Sequence, residues 1–404
     1  MNILVLNCGS SSVKYQFINP DTQRELAQGI VERIGMSGAV LRNKRHDGDE
    51  IAISGEILDH AIAIDYILAV LLSKNHGVIK DKKEIDAVGH RVVHGGETFT
   101  QSVLITDDVV KGIRDNIELA PLHNPHNLRG ITACINHLPD TPQVAVFDTA
   151  FHQKMPPYAY LYGIPYSLYR RYKIRRYGFH GTSHRYVSER VARLMEKPYD
   201  SLKLITCHLG NGCSMAAIDG GTSIDTTMGF TPLEGLLMGT RSGDMDPSVI
   251  LYIMAKEELG SSEANALLNK HSGLMGISGV SSDMRDVLEE AQEGNKQAAH
   301  AFNVFCYRIK KYIGAYAAAL NGLDAIIFTG GIGENSADVR MKSLSGLSYL
   351  GINIDESLNA SAKNEMKITT PDSTVSVYVI PTNEELMIAL DTMTIVQEKE
   401  KAVV

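Results

Sequence analysis

The sequence predicts an α/β protein of two domains, and three observations carry that reading. Short apolar runs of strand type end repeatedly in glycine-, asparagine- or serine-rich turns and alternate with stretches of helical periodicity. One design, strand, polar turn, strand, occurs at the start of the chain and again past its middle. The chain has 404 residues, enough for two domains with a buried core each.

Taken in order, Asn2 to Ile18 reads NILVLNCGSSSVKYQFI: apolar Ile3 to Leu6, a small polar break from Asn7 to Ser12, then period-two alternation to Ile18. This is a β-hairpin whose turn can offer backbone N–H groups and short hydroxyls to an anion, since Gly9 allows close approach. It lacks the G-x-x-x-x-G-K-[ST] pattern, so it is not a P-loop. Glu25 to Val40 continues with turns expected at Gly29, Gly35 and Gly38, and Arg42 to Glu50 is a mixed-charge solvated turn. Leu58 to Leu72 carries Ile62, Ile64, Ile67, Leu68 and Leu71 at helical spacing. The strand from Ile85 delivers Arg91 to a glycine turn, and the strand Gln143 to Phe147 delivers Asp148 likewise. Ligands of open α/β sheets collect beyond strand ends, so both residues are candidate site residues.

Near residue 150 the composition turns aromatic and basic, which marks a domain boundary. Leu202 to Asp219 then repeats the opening design, with His208-Leu209-Gly210-Asn211-Gly212-Cys213-Ser214 as its turn, and suggests two domains of common ancestry. A third glycine turn, Thr329 to Asn335, follows the strand Asp324 to Phe328, with a helix expected from about Ala337. Ala298 to Leu320 is a long amphipathic helix. The last strand leads to Pro381-Thr382-Asn383-Glu384-Glu385, where Thr382 and Glu385 form a capping box and place Glu384 in the first turn of a terminal helix. A carboxylate there suits the helix dipole or a metal ion.

The formal net charge of −8 argues against nucleic acid as main partner, and any anion must be held by cations gathered locally. The cysteines, Cys8, Cys134, Cys207, Cys213 and Cys306, show no C-x-x-C spacing, so neither a disulfide framework nor zinc is expected. With no signal-peptide pattern and no apolar run of membrane length, the expectation is a cytoplasmic protein without a membrane partner.

Two hydroxyl-and-glycine turns, a third glycine turn before a helix, strand-end cations and strand-end carboxylates together call for a polyanion with a divalent metal. At this point a resemblance becomes specific. The strings NCGSSSVKY, GHRVVHGG, APLHNPHN, VFDTAFH, YGFHGTSH, HLGNGCS, DTTMGFTPLEGLLMGTRSGDMDP, FTGGIGENS and PTNEE resemble, in order and over practically the whole chain, the acetate kinase family of the acetate and sugar kinase, Hsp70 and actin superfamily.

The resemblance implies two actin-like (ribonuclease H-like) domains with mixed central sheets flanked by helices. They would be 1–150, joined by the C-terminal helix 385–404, and 151–384, with a nucleotide cleft between them. It implies phosphoryl transfer between ATP/ADP and acetate/acetyl phosphate with Mg2+, which Mn2+ can replace, in a homodimer. Asn7 and Glu384 would position the metal. Ser10, Ser12 and Lys14 belong to the first phosphate loop and His208, Leu209, Gly210, Asn211 and Gly212 to the second. Asp283, Met284, Arg285, Gly331, Ile332, Gly333, Glu334 and Asn335 would surround the adenosine. Arg91 and Arg241 would hold the carboxylate and the migrating phosphoryl group, with His180 and His123 as donors and Asp148 as an orienting group. Val93, Leu122, Phe179 and Pro232 would form the small apolar pocket, in the acetate-preferring form.

Overall fold

The computed structural model describes residues 1–403, which divide into two compact units: Met1–Phe151 together with the segment from Asn383 onward, and His152–Thr382. The return to the first unit thus begins two residues before the expected position, and Glu384 belongs to that unit.

In the first unit, β1 (Ile3–Cys8), β2 (Ser12–Asn19), β3 (Arg24–Glu32), β4 (Val40–Arg45), β5 (Glu50–Ser54), β6 (Ala87–Val92), β7 (Val103–Leu104) and β8 (Gln143–Phe147) form one sheet in the order β5-β4-β3-β2-β1-β6-β8-β7. The β1–β2–β3 part is antiparallel, whereas β1, β6 and β8 run parallel. Leu4 and Leu6 join the core that takes in Ile64, Ile67, Leu68 and Cys134 from the helices His60–Leu71 and Asn124–His137. The other face receives the terminal helix Glu384–Val403. That helix lies close because β6 carries Gly89, where a Cβ would come within 2.6 Å of the Thr392 Oγ1.

The second unit is built on β9 (Lys203–Leu209), β10 (Cys213–Asp219), β11 (Thr222–Thr226), β12 (Ala325–Thr329), β13 (Met366–Lys367) and β14 (Ser376–Val379), ordered β11-β10-β9-β12-β14-β13. Its central five strands repeat the plan of the first unit: an antiparallel β9–β10–β11 meander beside parallel β9, β12 and β14. The helices Gly181–Leu194 and Lys296–Ala319 pack against this sheet.

Four local expectations are corrected. Gly29 is not a turn but an interior position of β3 beneath Tyr15, whose ring a Cβ would meet at 2.5 Å. Tyr15 in turn donates its hydroxyl proton to buried Asn43 at 2.6 Å. Much of Arg42 to Glu50 is strand, the end of β4 and the start of β5, joined by a short turn. The third glycine turn is itself a helical segment, Gly330–Asn335, followed by a second helix, Ala337–Leu344. The terminal helix is capped by Asn383, whose side chain accepts from the Leu386 N–H at 2.9 Å. Thr382 is unavailable as a cap, because its hydroxyl meets Ser183 Oγ at 2.8 Å and its N–H points to Glu334.

All five cysteines are free and buried. Among the described residues no helix is long and apolar enough to cross a membrane.

Candidate active site

Period-two alternation sets up the cluster of the first unit. Val5 and Asn7 share a face of β1, Lys14 pairs with Asn7 across the hairpin, and Gly89 pairs with Val5 from β6, so Arg91 projects on that same face. Asp148, one residue beyond β8, comes alongside. Arg91 Nε donates to Asp148 Oδ1 at 3.0 Å and its Nη2 to Oδ2 at 2.7 Å, a bidentate clamp on a carboxylate only 1% exposed. Burial works against the Arg91 charge, but Asp148 and Glu384 outweigh it and hold the guanidinium ionised more firmly than usual.

Glu384, in the first turn of the terminal helix, places a carboxylate oxygen 3.9 Å from Arg91 Nε. Burial pushes its carboxyl up to about 7, Asp148 and Glu385 add to the rise, and Arg91 and Lys14 oppose it. Asn7, Lys14, Arg91, Glu384 and Glu385 line a gap of about 10 Å³, about the room of one water or one ion. An amide oxygen and a desolvated carboxylate with excess negative charge beside it suit a hard divalent cation. Among the described residues no group of three or more His, Cys, Asp or Glu could hold a metal. Such a cation would therefore keep much of its water, as magnesium does.

The hairpin turn of this unit is fixed from within. Asn127 donates to the Cys8 carbonyl at 3.0 Å, His60 Nε2 meets the Gly9 carbonyl at 2.7 Å, Ile34 N donates to Ser11, and Gly9 N to Ser12. With these acceptors and the Gly9 amide consumed internally, the turn has its remaining amides and the Ser10 and Ser12 hydroxyls to offer a ligand. Ser10 is exposed and Ser12 half-buried.

In the second unit the turn Gly210-Asn211-Gly212 is closed by Gly210 N donating to the Gly212 carbonyl at 3.1 Å. The loop carrying Arg241 folds onto it, with Gly239 N donating to the Asn211 carbonyl at 3.0 Å. A Cβ at Gly212 would stand 3.5 Å from both Arg241 Nη1 and the His180 ring, an ordinary contact distance, so the turn, Arg241 and His180 converge on one corner. Arg241 donates to the Pro232 carbonyl at 3.2 Å, and among the described residues no carboxylate pairs with it. Burial accordingly makes its charge easier to lose than usual. His180 sits at φ 56°, a left-handed conformation uncommon for a side chain of its size. Its ring stacks on His208 with centroids 4.3 Å apart.

Beside this turn lies a cleft of about 770 Å³ lined in part by Gly210, Asn211, Asp283, Met284, Arg285, Gly331, Ile332 and Asn335, within the usual size of a small-ligand site. Asp283 caps the helix Met284–Gln292, and Arg285 draws its carboxyl down to about 2. Buried Arg340 anchors the helix Gly330–Asn335 by donating to the Gly333 and Glu334 carbonyls at 2.8 and 2.9 Å.

The structure thus groups Asn7, Lys14, Arg91, Asp148 and Glu384 in the first unit. In the second it groups His180, Gly212 and Arg241, with the cleft residues next to Asn211. Leu209 and Gly333 are buried within the second unit. Glu334 turns inward, accepting from Gly330 N at 2.8 Å. Val93 is buried and donates its N–H to Asn127, whereas Leu122 is 68% exposed and His123 holds the N-cap position of Asn124–His137. Phe179 and Pro232 belong to the second unit. Sequence reasoning did not single out Ser282, Leu288, Ser336, Ala337 and Asp338, which also line the cleft. It also passed over His184 and Ser214, although His184 lies one helical turn from His180 and Ser214 closes the second hairpin motif.

Residues 2–390 match the Acetokinase family. Curated relatives from Desulfitobacterium hafniense and Thermoanaerobacterium thermosaccharolyticum, both named acetate kinase, are each 58% identical over 98% of this chain, spanning 100% and 99% of their own lengths. Among solved structures, an acetate kinase from Porphyromonas gingivalis superposes with a TM-score of 0.95 at 48% identity, covering 98% of this chain and 99% of that one. A propionate kinase from Francisella tularensis gives a TM-score of 0.90 at 45% identity, covering 97% and 99%. The motifs, the paired mixed sheets and these likenesses over nearly the full length lead to one conclusion: the chain belongs to the acetokinase family.

Proposed function

We propose that this protein transfers the γ-phosphoryl group of ATP to acetate, reversibly and in line, giving acetyl phosphate and ADP. The observation that carries the reading most directly is Arg241, a largely buried guanidinium with a backbone carbonyl but no carboxylate among the described residues, standing over a glycine turn beside a nucleotide-sized cleft. A cation kept in that state is an anion receptor awaiting charge.

Phosphoryl transfer asks a protein mainly for alignment and charge stabilisation. The cleft at Asp283, Arg285 and Gly331 takes the nucleoside, and the turns at Ser10–Ser12 and Asn211–Gly212 take phosphate oxygens on their amides and hydroxyls. Arg241 and the His180 N–H stabilise the migrating group. Arg91 receives the carboxylate of the acceptor, and both oxygens of Asp148 are committed to aiming that guanidinium. Acetate is ionised near neutral pH, so no general base is needed to generate the nucleophile. Asn7 and Glu384 would hold a magnesium ion, which when bound would supply positive charge against the triphosphate; manganese would be able to take its place. The assembly proposed is a cytoplasmic homodimer.

The likeness to a propionate kinase supports a second, narrower reading, in which the acyl chain is one carbon longer. Hydroxylamine trapping with ATP, magnesium and a series of carboxylates tests both. A hydroxamate formed best from acetate is the expected result. A maximum at propionate would select the second reading, and no hydroxamate from any carboxylate would refute both.

A further inference from the structure

Four hydrogen-bonding groups in the second unit lie end to end. Thr206 Oγ1 and His184 Nδ1 are 2.7 Å apart, His184 Nε2 and Ser214 Oγ 2.7 Å, and Ser214 Oγ and His180 Nδ1 2.9 Å. The fold makes this line. Thr206 and Ser214 face the same side of the β9–β10 hairpin, where Ala216 pairs with Thr206 and Ser214 with His208. The helix Gly181–Leu194, packed on that side, brings in His184 one turn after His180. Thr206, His184 and Ser214 are all wholly buried.

Proton accounting gives the line a direction. The Ser214 hydroxyl has one proton and two imidazole neighbours, so it donates to one and accepts from the other. If it donated to His184, then His184 Nδ1–H would have to donate to Thr206. The buried Thr206 hydroxyl proton would then have no acceptor, because among the described residues His184 is its sole partner. Leaving a buried donor unsatisfied carries the full desolvation penalty of that group. In the opposite sense every proton finds a lone pair: Thr206 donates to His184 Nδ1, His184 Nε2–H donates to Ser214, and Ser214 donates to His180 Nδ1. His184 can play this part only while neutral, and burial, with His152 and His208 adding to it, depresses its basicity strongly.

We infer that Thr206, His184 and Ser214 are positioning residues that fix His180 as a neutral imidazole with its proton on Nε2, directed over the Gly212 turn beside Arg241. His180 Nε2 is 3.6 Å and Arg241 Nη1 3.5 Å from the point where a Gly212 Cβ would sit. The tautomer of one ring nitrogen follows from the hydrogen bond the other makes. The stack on His208, itself held by Ser183 at 2.8 Å, fixes the ring plane. His180 then donates a hydrogen bond to phosphoryl oxygens without carrying a formal charge or giving up its proton. The inference rests on the kinase reading for what the donor serves, but not for the tautomer itself.

The test is 15N-histidine labelling of the full chain with long-range proton–nitrogen correlation, the His180 signals being assigned with His180→Gln. The expected spectrum of the parent near neutral pH shows His180 protonated on Nε2 and bare on Nδ1. An Nδ1–H tautomer or an imidazolium overturns the inference. Thr206→Val, which keeps shape and removes the terminal donor, and Ser214→Ala should each give a tautomer mixture. They should lower kcat about tenfold or more with KM for ATP little changed, short of the ~10⁴-fold cost of a wholly wrong catalytic tautomer. Ser214→Thr should retain both the parent tautomer and turnover. Thr206→Val indistinguishable from the parent in both spectrum and kcat also overturns it, and that variant decides the matter if Ser214→Ala does not fold. A parent with the expected tautomer that traps no hydroxamate would sink the kinase reading while supporting the hydrogen-bond line.

Discussion

The turn at Cys8–Ser12 and the turn at Gly210–Gly212 stand on the same strand plan, yet each keeps a different kind of arginine. In the first unit Arg91 is locked to buried Asp148 through three hydrogen bonds and lies near Glu384, so a half-buried cation is met by more than one negative charge. In the second unit Arg241 has, among the described residues, only a carbonyl and a methionine sulfur as hydrogen-bond partners. One guanidinium is oriented before any ligand arrives, and the other awaits a counter-charge. A clamp for a migrating anion profits from the second state, because an arginine already neutralised by protein gains less from each charge that develops on the ligand.

The comparison is broken most forcefully by removing the arginines one at a time. Arg241→Ala and Arg91→Ala should each lower kcat by about two orders of magnitude or more in steady-state assays. Their stabilities should part. Arg91→Ala leaves Asp148 buried and uncompensated, at a cost of about 3 to 5 kcal/mol, whereas Arg241→Ala relieves a desolvated charge and should leave Tm level or raised. Arg91→Ala combined with Asp148→Ala should recover the stability and none of the rate. Equal losses of Tm in the two single variants would show that the electrostatic contrast between the units is not real.

Next in size is the effect of Glu384→Ala. With the carboxylate gone from the small gap beside Asn7, the magnesium midpoint for activity should rise about tenfold, on the scale of losing one charge-assisted contact. An unchanged midpoint would remove Glu384 from the metal site. A smaller change is expected from Val93→Ala, which should favour propionate over acetate, since one methylene is worth roughly 1 to 3 kcal/mol. The ratio of kcat/KM for the two acids reads it directly.

The least effect on turnover belongs to His90, on the face of β6 opposite Arg91. Burial lowers its pKa to about 4, partly offset by its 2.9 Å contact with Gln143. Because the folded value lies below the unfolded one, the stability from keeping His90 neutral is present above about pH 6.5 and disappears as pH falls towards 4, on the order of 3 kcal/mol in all. His90→Gln should flatten the denaturant midpoint across that window. A slope identical to the parent's would contradict the assignment.

Much of the candidate site was legible because strand ends and glycine turns are local events. Arg91, Asp148 and the hairpin at Asn7–Ser12 are readable from strand periodicity and turn chemistry alone. Gly29 misled for a physical reason: glycine marks a turn or a close approach equally well, and only the Tyr15 ring above it tells which. Thr382 was misread because a capping box is a local pattern, while the hydroxyl that would complete it is taken by Ser183, far away in sequence. The glycines from Gly330 suggested a loop, but Arg340 and the backbone hydrogen bonds hold them as a helix.

What the sequence by itself determined was the set of chemical parts and the repeat that duplicates them, since composition, turn residues and period-two faces depend only on near neighbours in the chain. The tertiary structure decided which parts are neutralised and which are left charged. That depends on burial and on partners distant in sequence, such as Asp148 for Arg91 and Ser214 for His180. Coulomb energies and proton counts are settled by distance in space, which no local pattern of residues encodes.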